Sequence, residues 1–129
     1  MKILIIDDEE NLRRLVCYNL TREGHEVLMA EDGEQGLAMA AKHRPDLILL
    51  DIMMPGINGL DLCLKLKTEP QTKDLVVFMF TAKGKIEDIE NAFEFGADNY
   101  ITKPFPIEKF NDFIQLKLSK LKNRNRKHA

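Results

Sequence analysis

Five polar residues stand directly after, or at the ends of, short apolar runs: Asp7 and Asp8, Asp51, Thr81 and Lys103. Three are carboxylates, one offers a hydroxyl donor, and one is a compact ammonium charge. Carboxylates gathered in one small pocket repel each other, so either some hold protons or a cation joins them. Oxygen donors without a His or Cys partner favour a hard ion, and a few carboxylates with waters and a phosphate suit Mg²⁺. Such an ion would bring a phosphoryl group beside Asp51, whose carboxylate could then attack phosphorus and form an acyl phosphate. That reaction needs positioning and charge neutralisation more than acid–base chemistry. Lys103 would face the phosphoryl oxygens as a point charge, and Thr81 would donate its hydroxyl.

These residues can meet only if the chain folds so as to gather them. The stretch Leu47–Gly59 is the centre of that reading. Leu47–Leu50 is four apolar residues without alternation, the pattern of a strand buried on both faces of a parallel sheet. Asp51 closes it, and a charge there belongs at the rim, where the chain leaves the sheet. Pro55-Gly56 turns the chain, and Asn58 is placed to cap a helix whose apolar positions include Leu60, Cys63 and Leu64.

The same alternation runs through the chain. Lys2–Ile6 reads as the first strand, followed by a helix with Leu12, Leu15, Val16 and Leu20 on one face and Gly24 at its C-terminal cap. Glu9 reads as a first-turn acid matching the helix dipole. Val27–Ala30 is a second strand. Asp32 with Gln35 forms a capping box for a helix with Leu37, Ala40 and Ala41 inward, which Pro45 stops. Val76–Phe80 is the fourth strand, ending at Thr81. Gly84 precedes a helix with Ile86, Ile89 and Phe93 inward, stopped by Gly96. Tyr100-Ile101 is a short fifth strand leading to Lys103-Pro104. Pro106 fits the first turn of a last helix with Phe110, Phe113, Ile114 and Leu118 on one face. Beyond about Leu121 the composition is polar and basic, which predicts fraying or an onward linker.

Strand and helix thus alternate five times. That predicts an α/β fold, a five-stranded parallel sheet in the flavodoxin-like order 2-1-3-4-5 with helices on both faces. In that order strands 1, 3, 4 and 5 are neighbours. Asp7, Asp8, Asp51, Thr81 and Lys103 then collect at the carboxyl edge of the sheet, where open sheets of this kind bind ligands.

Bulk properties agree. A chain of 129 residues, 44% hydrophobic and 31% charged, fits one globular domain. We read residues 1–121 as that domain and 122–129 as a basic tail or the start of a linker. No apolar run approaches the roughly 20 residues of a membrane span, and the acids at 7–10 argue against a signal peptide over the first strand. Cys17 and Cys63 lack CxxC spacing and read as reduced thiols, which points to a cytoplasmic protein. Residues 117–129 carry six basic side chains and no acid, leaving 13 basic against 21 acidic residues over 1–116, a net of −8. An acidic body of this kind is a poor nucleic-acid binder, so only the tail is a candidate for such contact.

Asp7-Asp8, Asp51, Thr81, Tyr100 and Lys103-Pro104, with Met-Pro-Gly at 54–56, resemble the signature of response regulator receiver domains, and the likeness runs from Met1 to about Leu121. The resemblance implies that Asp51 accepts a phosphoryl group from a phosphohistidine of a sensor histidine kinase or phosphotransfer protein in a phosphorelay. It implies that Asp8, Asp51 and the backbone carbonyl of Met53 bind Mg²⁺, that Asp7 assists through water, and that Lys103-Pro104 is a cis peptide. It further implies a switch in which the Thr81 hydroxyl moves toward the phosphoryl group and the ring of Tyr100 turns inward. The face formed by the fourth helix, fifth strand and fifth helix then changes partner, with a homodimer as one outcome. Met53 and Lys83 stand where the family tunes the lifetime of the phosphate. Asn58 departs from the acid common in this loop, although either residue can cap.

Each residue has a plainer role available: Asp7 or Asp8 as a helix cap, Thr81 as a turn cap, Lys103 as a solvated loop lysine, Tyr100 as half-buried packing. Their joint placement favours the switch. Three other functions share parts of the pattern. An aspartyl-phosphate phosphatase of the haloacid-dehalogenase type places its nucleophile after the first strand in an Asp-x-Asp pattern, whereas here the aspartates are adjacent. A flavodoxin-like carrier needs a phosphate loop where this chain has four acids. The chain could also be the receiver fragment of a longer DNA-binding regulator.

Overall fold

The apolar runs form five parallel strands. The computed structural model of the 129-residue chain describes residues 1–52, 54, 58–82, 90, 91, 93–103 and 106–128, without the side chains of residues 81, 82, 103 and 123–128. The elements are β1 (Lys2–Ile6), α1 (Glu10–Arg22), β2 (Glu26–Ala30), α2 (Gly33–His43), β3 (Leu47–Asp51), α3 (Gly59–Thr68), β4 (Val77–Ala82), β5 (Asn99–Lys103), a 3₁₀ turn (Ile107–Lys109) and a C-terminal helix (Phe110–His128). Glu90, Asn91, Phe93 and Glu94 are also helical. The sheet order is β2-β1-β3-β4-β5, as the sequence predicts.

The central strand β3 is buried at every residue, because both of its faces are covered. Side chains alternate across the sheet with period two. Leu4, Ile6, Ile48, Leu50, Val77 and Met79 pack with Leu62, Cys63 and Leu66 of α3 on one face. Ile3, Ile5, Leu47, Leu49, Phe78 and Phe80 pack with Val16 and Leu20 of α1 and with Phe110 and Ile114 of the C-terminal helix on the other. The rings of Phe80 and Phe110 stack at 5.8 Å. At the sheet edge, β2 is only partly covered and leaves Met29 exposed.

The predicted caps form. Asp32 accepts from the Gln35 N–H at 2.8 Å, while the Gln35 side chain accepts from the Glu31 N–H, one residue earlier than the usual reciprocal bond. Gly24 has φ +91°, the left-handed position just past α1. Asn58 accepts from the N–H groups of Leu60 and Asp61 at 2.7 and 3.4 Å. Asn58→Ala is therefore expected to destabilise the fold by about 1 kcal/mol, read as a lower urea midpoint with an unchanged slope. Glu9 occupies the N-cap position of α1 without a side-chain bond, and the first-turn acid is Glu10.

Several expected inward residues face solvent instead. Leu15 and Phe113 are each 49% exposed, and Phe93 is 46% exposed. In α1 and the C-terminal helix the stripes against the core run Val16 and Leu20 with Leu12 partly buried beside them, and Phe110 and Ile114 with Leu118 partly buried. A helix laid on a sheet needs only that narrow line, and a residue three positions on falls beside it. Leu64 is exposed for a related reason: α3 turns Gly59, Leu62, Cys63 and Leu66 inward.

Pro106 immediately precedes the 3₁₀ turn rather than opening the last helix. The backbone of that helix runs on to His128, where fraying was expected beyond Leu121. Gly84, Ile86 and Ile89 lie outside the described residues. Both cysteines are free, and burial pushes the Cys63 thiol up to about 11, an unreactive core thiol. Among the described residues no helix is long and apolar enough to cross a membrane.

Candidate phosphoacceptor and metal site

The carboxyl ends of β1 and β3 lie side by side, with Ile6 opposite Leu50. The next residues are Asp7, just past β1, and Asp51, the last residue of β3. Asp7 is anchored on several sides. Its N–H donates to the Ala30 carbonyl at 3.1 Å, its carboxylate accepts from the Glu9 N–H at 2.9 Å, and its carbonyl accepts from the Arg13 guanidinium at 2.6 Å. Arg13 also approaches Glu31 at 4.0 Å. Asp7 is fully buried, Asp51 is 7% exposed, and Asp8 is open to solvent.

One carboxylate oxygen from each of Asp7, Asp8 and Asp51 lies within 4.8 Å of the others. Oxygens on opposite sides of a Mg²⁺ ion stand about 4 Å apart, so this spacing is close to what one hard cation draws together. The donor set is all oxygen, which selects Mg²⁺ over softer metals. Two of these carboxylates, Asp7 and Asp51, are buried and the third, Asp8, is exposed.

The loop after β3 is held against the strand end. Ile52 donates to the Phe80 carbonyl at 3.2 Å, and Gly59 donates back to the Ile52 carbonyl at 3.0 Å. A Cβ on Gly59 would stand 2.2 Å from the Asp51 carbonyl oxygen and 2.6 Å from the Ile52 Cα. The start of α3 therefore rests directly on the backbone that carries Asp51, and only glycine permits that approach. The Leu47–Gly59 stretch drew attention to Asp51, but Gly59 was not read as part of the site. Its signal was available: a glycine just after an N-cap needs no special φ, so close packing was the better explanation.

The backbones of Thr81 and Lys103 lie on neighbouring strands at the same edge of the sheet, with Thr81 opposite Thr102 and Ala82 opposite Lys103. Strand β4 pairs in turn with β3, Asp51 opposite Phe80. The side chains of Thr81 and Lys103 are outside the described residues, as are Met53, Pro55-Gly56, Lys83 and Pro104.

Tyr100 lies on the edge strand β5, opposite Met79 of β4. Its ring meets Phe93 edge-on at 5.7 Å. The Lys117 ammonium stands 5.1 Å from the Tyr100 ring centre and 4.9 Å from that of Phe113. In the sequence Lys117 is one of six basic residues over 117–129, on the last helix and its extension, with nothing to link it to Tyr100. The pairing with Tyr100 depends on how the last helix crosses β5, which residue types alone do not reveal.

Comparison with known proteins agrees with this geometry. The DNA-binding dual master transcriptional regulator RpaA of Synechocystis is 44% identical over 108 residues, which are 84% of this chain and 45% of RpaA. The phosphate regulon transcriptional regulatory protein PhoB of Pseudomonas aeruginosa is 45% identical over 103 residues, 80% of this chain and 45% of PhoB. The chain thus spans less than half the length of these curated relatives. Among solved structures, the chemotaxis response regulator CheY4 of Vibrio cholerae superposes with a TM-score of 0.84 at 31% identity, covering 90% of this chain and 97% of that one. The receiver domain of NtrX from Brucella abortus gives 0.81 at 35% identity, covering 91% and 98%. The response regulator receiver domain model matches residues 3–115. With the strand order, the acidic edge and this match in agreement, the chain belongs to the response regulator receiver domains of two-component signal transduction.

Proposed function

We propose that this receiver is a phosphoacceptor switch, and that Asp51 is the residue phosphorylated. The observation that carries the reading is the convergence of Asp7, Asp8 and Asp51 at the carboxyl edge of the sheet. A carboxylate oxygen of Asp51 attacks the phosphorus of a phosphohistidine on a sensor histidine kinase or phosphotransfer protein. The new O–P bond forms as the P–N bond breaks, and the imidazole nitrogen leaves with the electron pair. Mg²⁺, when bound, neutralises charge on the phosphoryl oxygens. Asp8, Asp51 and the Met53 carbonyl would hold it, with Asp7 assisting through water. Lys103 faces the phosphoryl oxygens, and Thr81 donates its hydroxyl to them. The chain acts on no separate substrate; it promotes only its own phosphorylation and dephosphorylation.

A phosphoryl group adds a charge near −2 at Asp51. That charge favours the state in which Thr81 has moved toward it and Tyr100 has turned inward. The face built on β5 and the C-terminal helix then changes partner, either an output protein or a second copy of the chain. Phosphorylation need only bind that state better to populate it. A cytoplasmic location follows from the proposed kinase partner.

A second reading concerns the output. The chain spans 45% of RpaA, whose name describes DNA binding, so this receiver is read as the control domain of a longer regulator. Residues 1–121 would be the receiver and 122–129 the start of the connection, a reading the unbroken helix to His128 favours over a loose tail.

Intact-mass measurement after incubation with acetyl phosphate and Mg²⁺ tests the central claim. The expected result is one hydroxylamine-labile phosphoryl adduct on the wild type and none on Asp51→Asn. Absence of the adduct on the wild type, or equal labelling of the variant, would sink the claim.

A further inference from the structure

Lys117 takes no part in the proposed chemistry, yet it is bound on several sides. Its ammonium lies against the rings of Tyr100 and Phe113 and donates to Asn99 Oδ1 at 3.1 Å. The same oxygen accepts from the Tyr100 N–H at 2.9 Å. Asn99 thus joins the Tyr100 backbone to the ion that lies on the Tyr100 ring, while Phe93 closes the ring from another side. Burial, and then the charge of Lys120, lowers the Lys117 pKa below the ordinary lysine value. A lysine on the solvent side of a helix could avoid that cost by extending into water. Here the ring faces and the amide oxygen compensate it.

We infer that Lys117 is a positioning residue that holds the Tyr100 ring outward, against Phe93, and so sets how readily the switch turns. The inference deepens the proposed function and rests on its statement that Tyr100 moves inward. An inward ring gives up the contact with the Lys117 ammonium, whereas an outward ring keeps it. A partly desolvated cation–ring contact is expected to weight the equilibrium by about three-fold. Removing the ion while keeping the apolar stem should raise the inward population by that factor.

The test uses the Tyr18→Phe background, in which Tyr100 is the only tyrosine of the two in the chain. Three-bond couplings from the backbone nitrogen and carbonyl carbon to Cγ of Tyr100 report its χ1 populations by NMR. Lys117→Met removes the charge with little change of shape, and Lys117→Arg keeps a cation. Without any phosphodonor, the Lys117→Met couplings should be averaged between two rotamers, while Lys117→Arg keeps the wild-type values. With Mg²⁺ present, half-saturation by beryllium fluoride should fall about three-fold in Lys117→Met. Wild-type couplings in Lys117→Met overturn the inference, whatever beryllium fluoride does. A wild-type Tyr100 that keeps its χ1 at saturating beryllium fluoride overturns the switch reading instead, and the free-state couplings still decide the role of Lys117.

Discussion

Gly59→Ala is expected to destabilise the protein by about 3 kcal/mol or more, at the upper end of overpacking costs. The added Cβ would stand 2.2 Å from the Asp51 oxygen and 2.8 Å from the Ile52 oxygen. Both are backbone atoms of the chain leaving the central strand, so neither can rotate aside. Relief requires the start of α3 to lift away, which breaks the bond from the Gly59 N–H to the Ile52 carbonyl and disturbs the Asn58 cap. The control is Gly36→Ala in α2. There the Cβ would meet only side-chain atoms, the Cδ1, Cγ1 and Cγ2 of buried Ile6 at 2.6, 2.9 and 3.0 Å, which can yield by repacking where backbone cannot. Exchanging a helical glycine for alanine also recovers roughly 1 kcal/mol, so this variant should lose less stability than Gly59→Ala. Urea unfolding of both variants checks the contrast. A Gly59→Ala midpoint within error of the wild type would show that α3 does not rest on the Asp51 backbone.

The second large effect comes from the carboxylates. Adding Mg²⁺ to the wild-type chain is expected to raise its thermal midpoint, and Asp8→Asn to remove most of that gain. Without a cation, three carboxylate oxygens within 4.8 Å repel one another in the folded state. An ion that binds only the folded chain stabilises it by about 2.7 kcal/mol at a hundred times its dissociation constant. In a domain of this size that amounts to roughly 10 °C. Asp8 is the exposed member of the cluster, so an amide there disturbs little packing. In metal-free buffer the variant should be no less stable than the wild type, because one repelling charge is gone. Scanning calorimetry with and without Mg²⁺ measures both quantities. An equal rise in wild type and variant would place the ion elsewhere, and no rise in either would remove the metal from the site.

The fold was legible because its strands are short, continuous and apolar. Leu47–Leu50 announces a doubly covered strand, and Asp32, Asn58 and Gly24 mark helix ends by side-chain or backbone chemistry that acts over one turn. The carboxylate cluster was legible for a different reason. Asp7 and Asp8 follow one strand and Asp51 ends another, and the common edge of a parallel sheet does the rest. What could not be read were contacts set by how one element lies on another. Leu15 and Phe113 have the right spacing for a buried face, yet the width of the contact is fixed by the sheet beneath. The same holds for Lys117, which looks like one more charge on the last helix until that helix is laid beside β5. Gly59 lies between these cases. Its type hinted at crowding, but only the position of the Asp51 backbone explains it.

The pairing of Ile6 with Leu50 has a consequence in time as well as space. The residues that follow them, Asp7 and Asp51, are far apart in the chain, and parallel strands meet only after the intervening crossovers have been traversed. Pairings of such long sequence separation carry a loop-closure cost that must be met before they return any stability, and they form slowly. A nascent or half-folded chain holds the same three aspartates without holding the cluster. No local hairpin can assemble it, because no short segment contains both sides. The acidic edge therefore exists only in molecules that have completed the central sheet, and partly folded copies, however abundant, lack it.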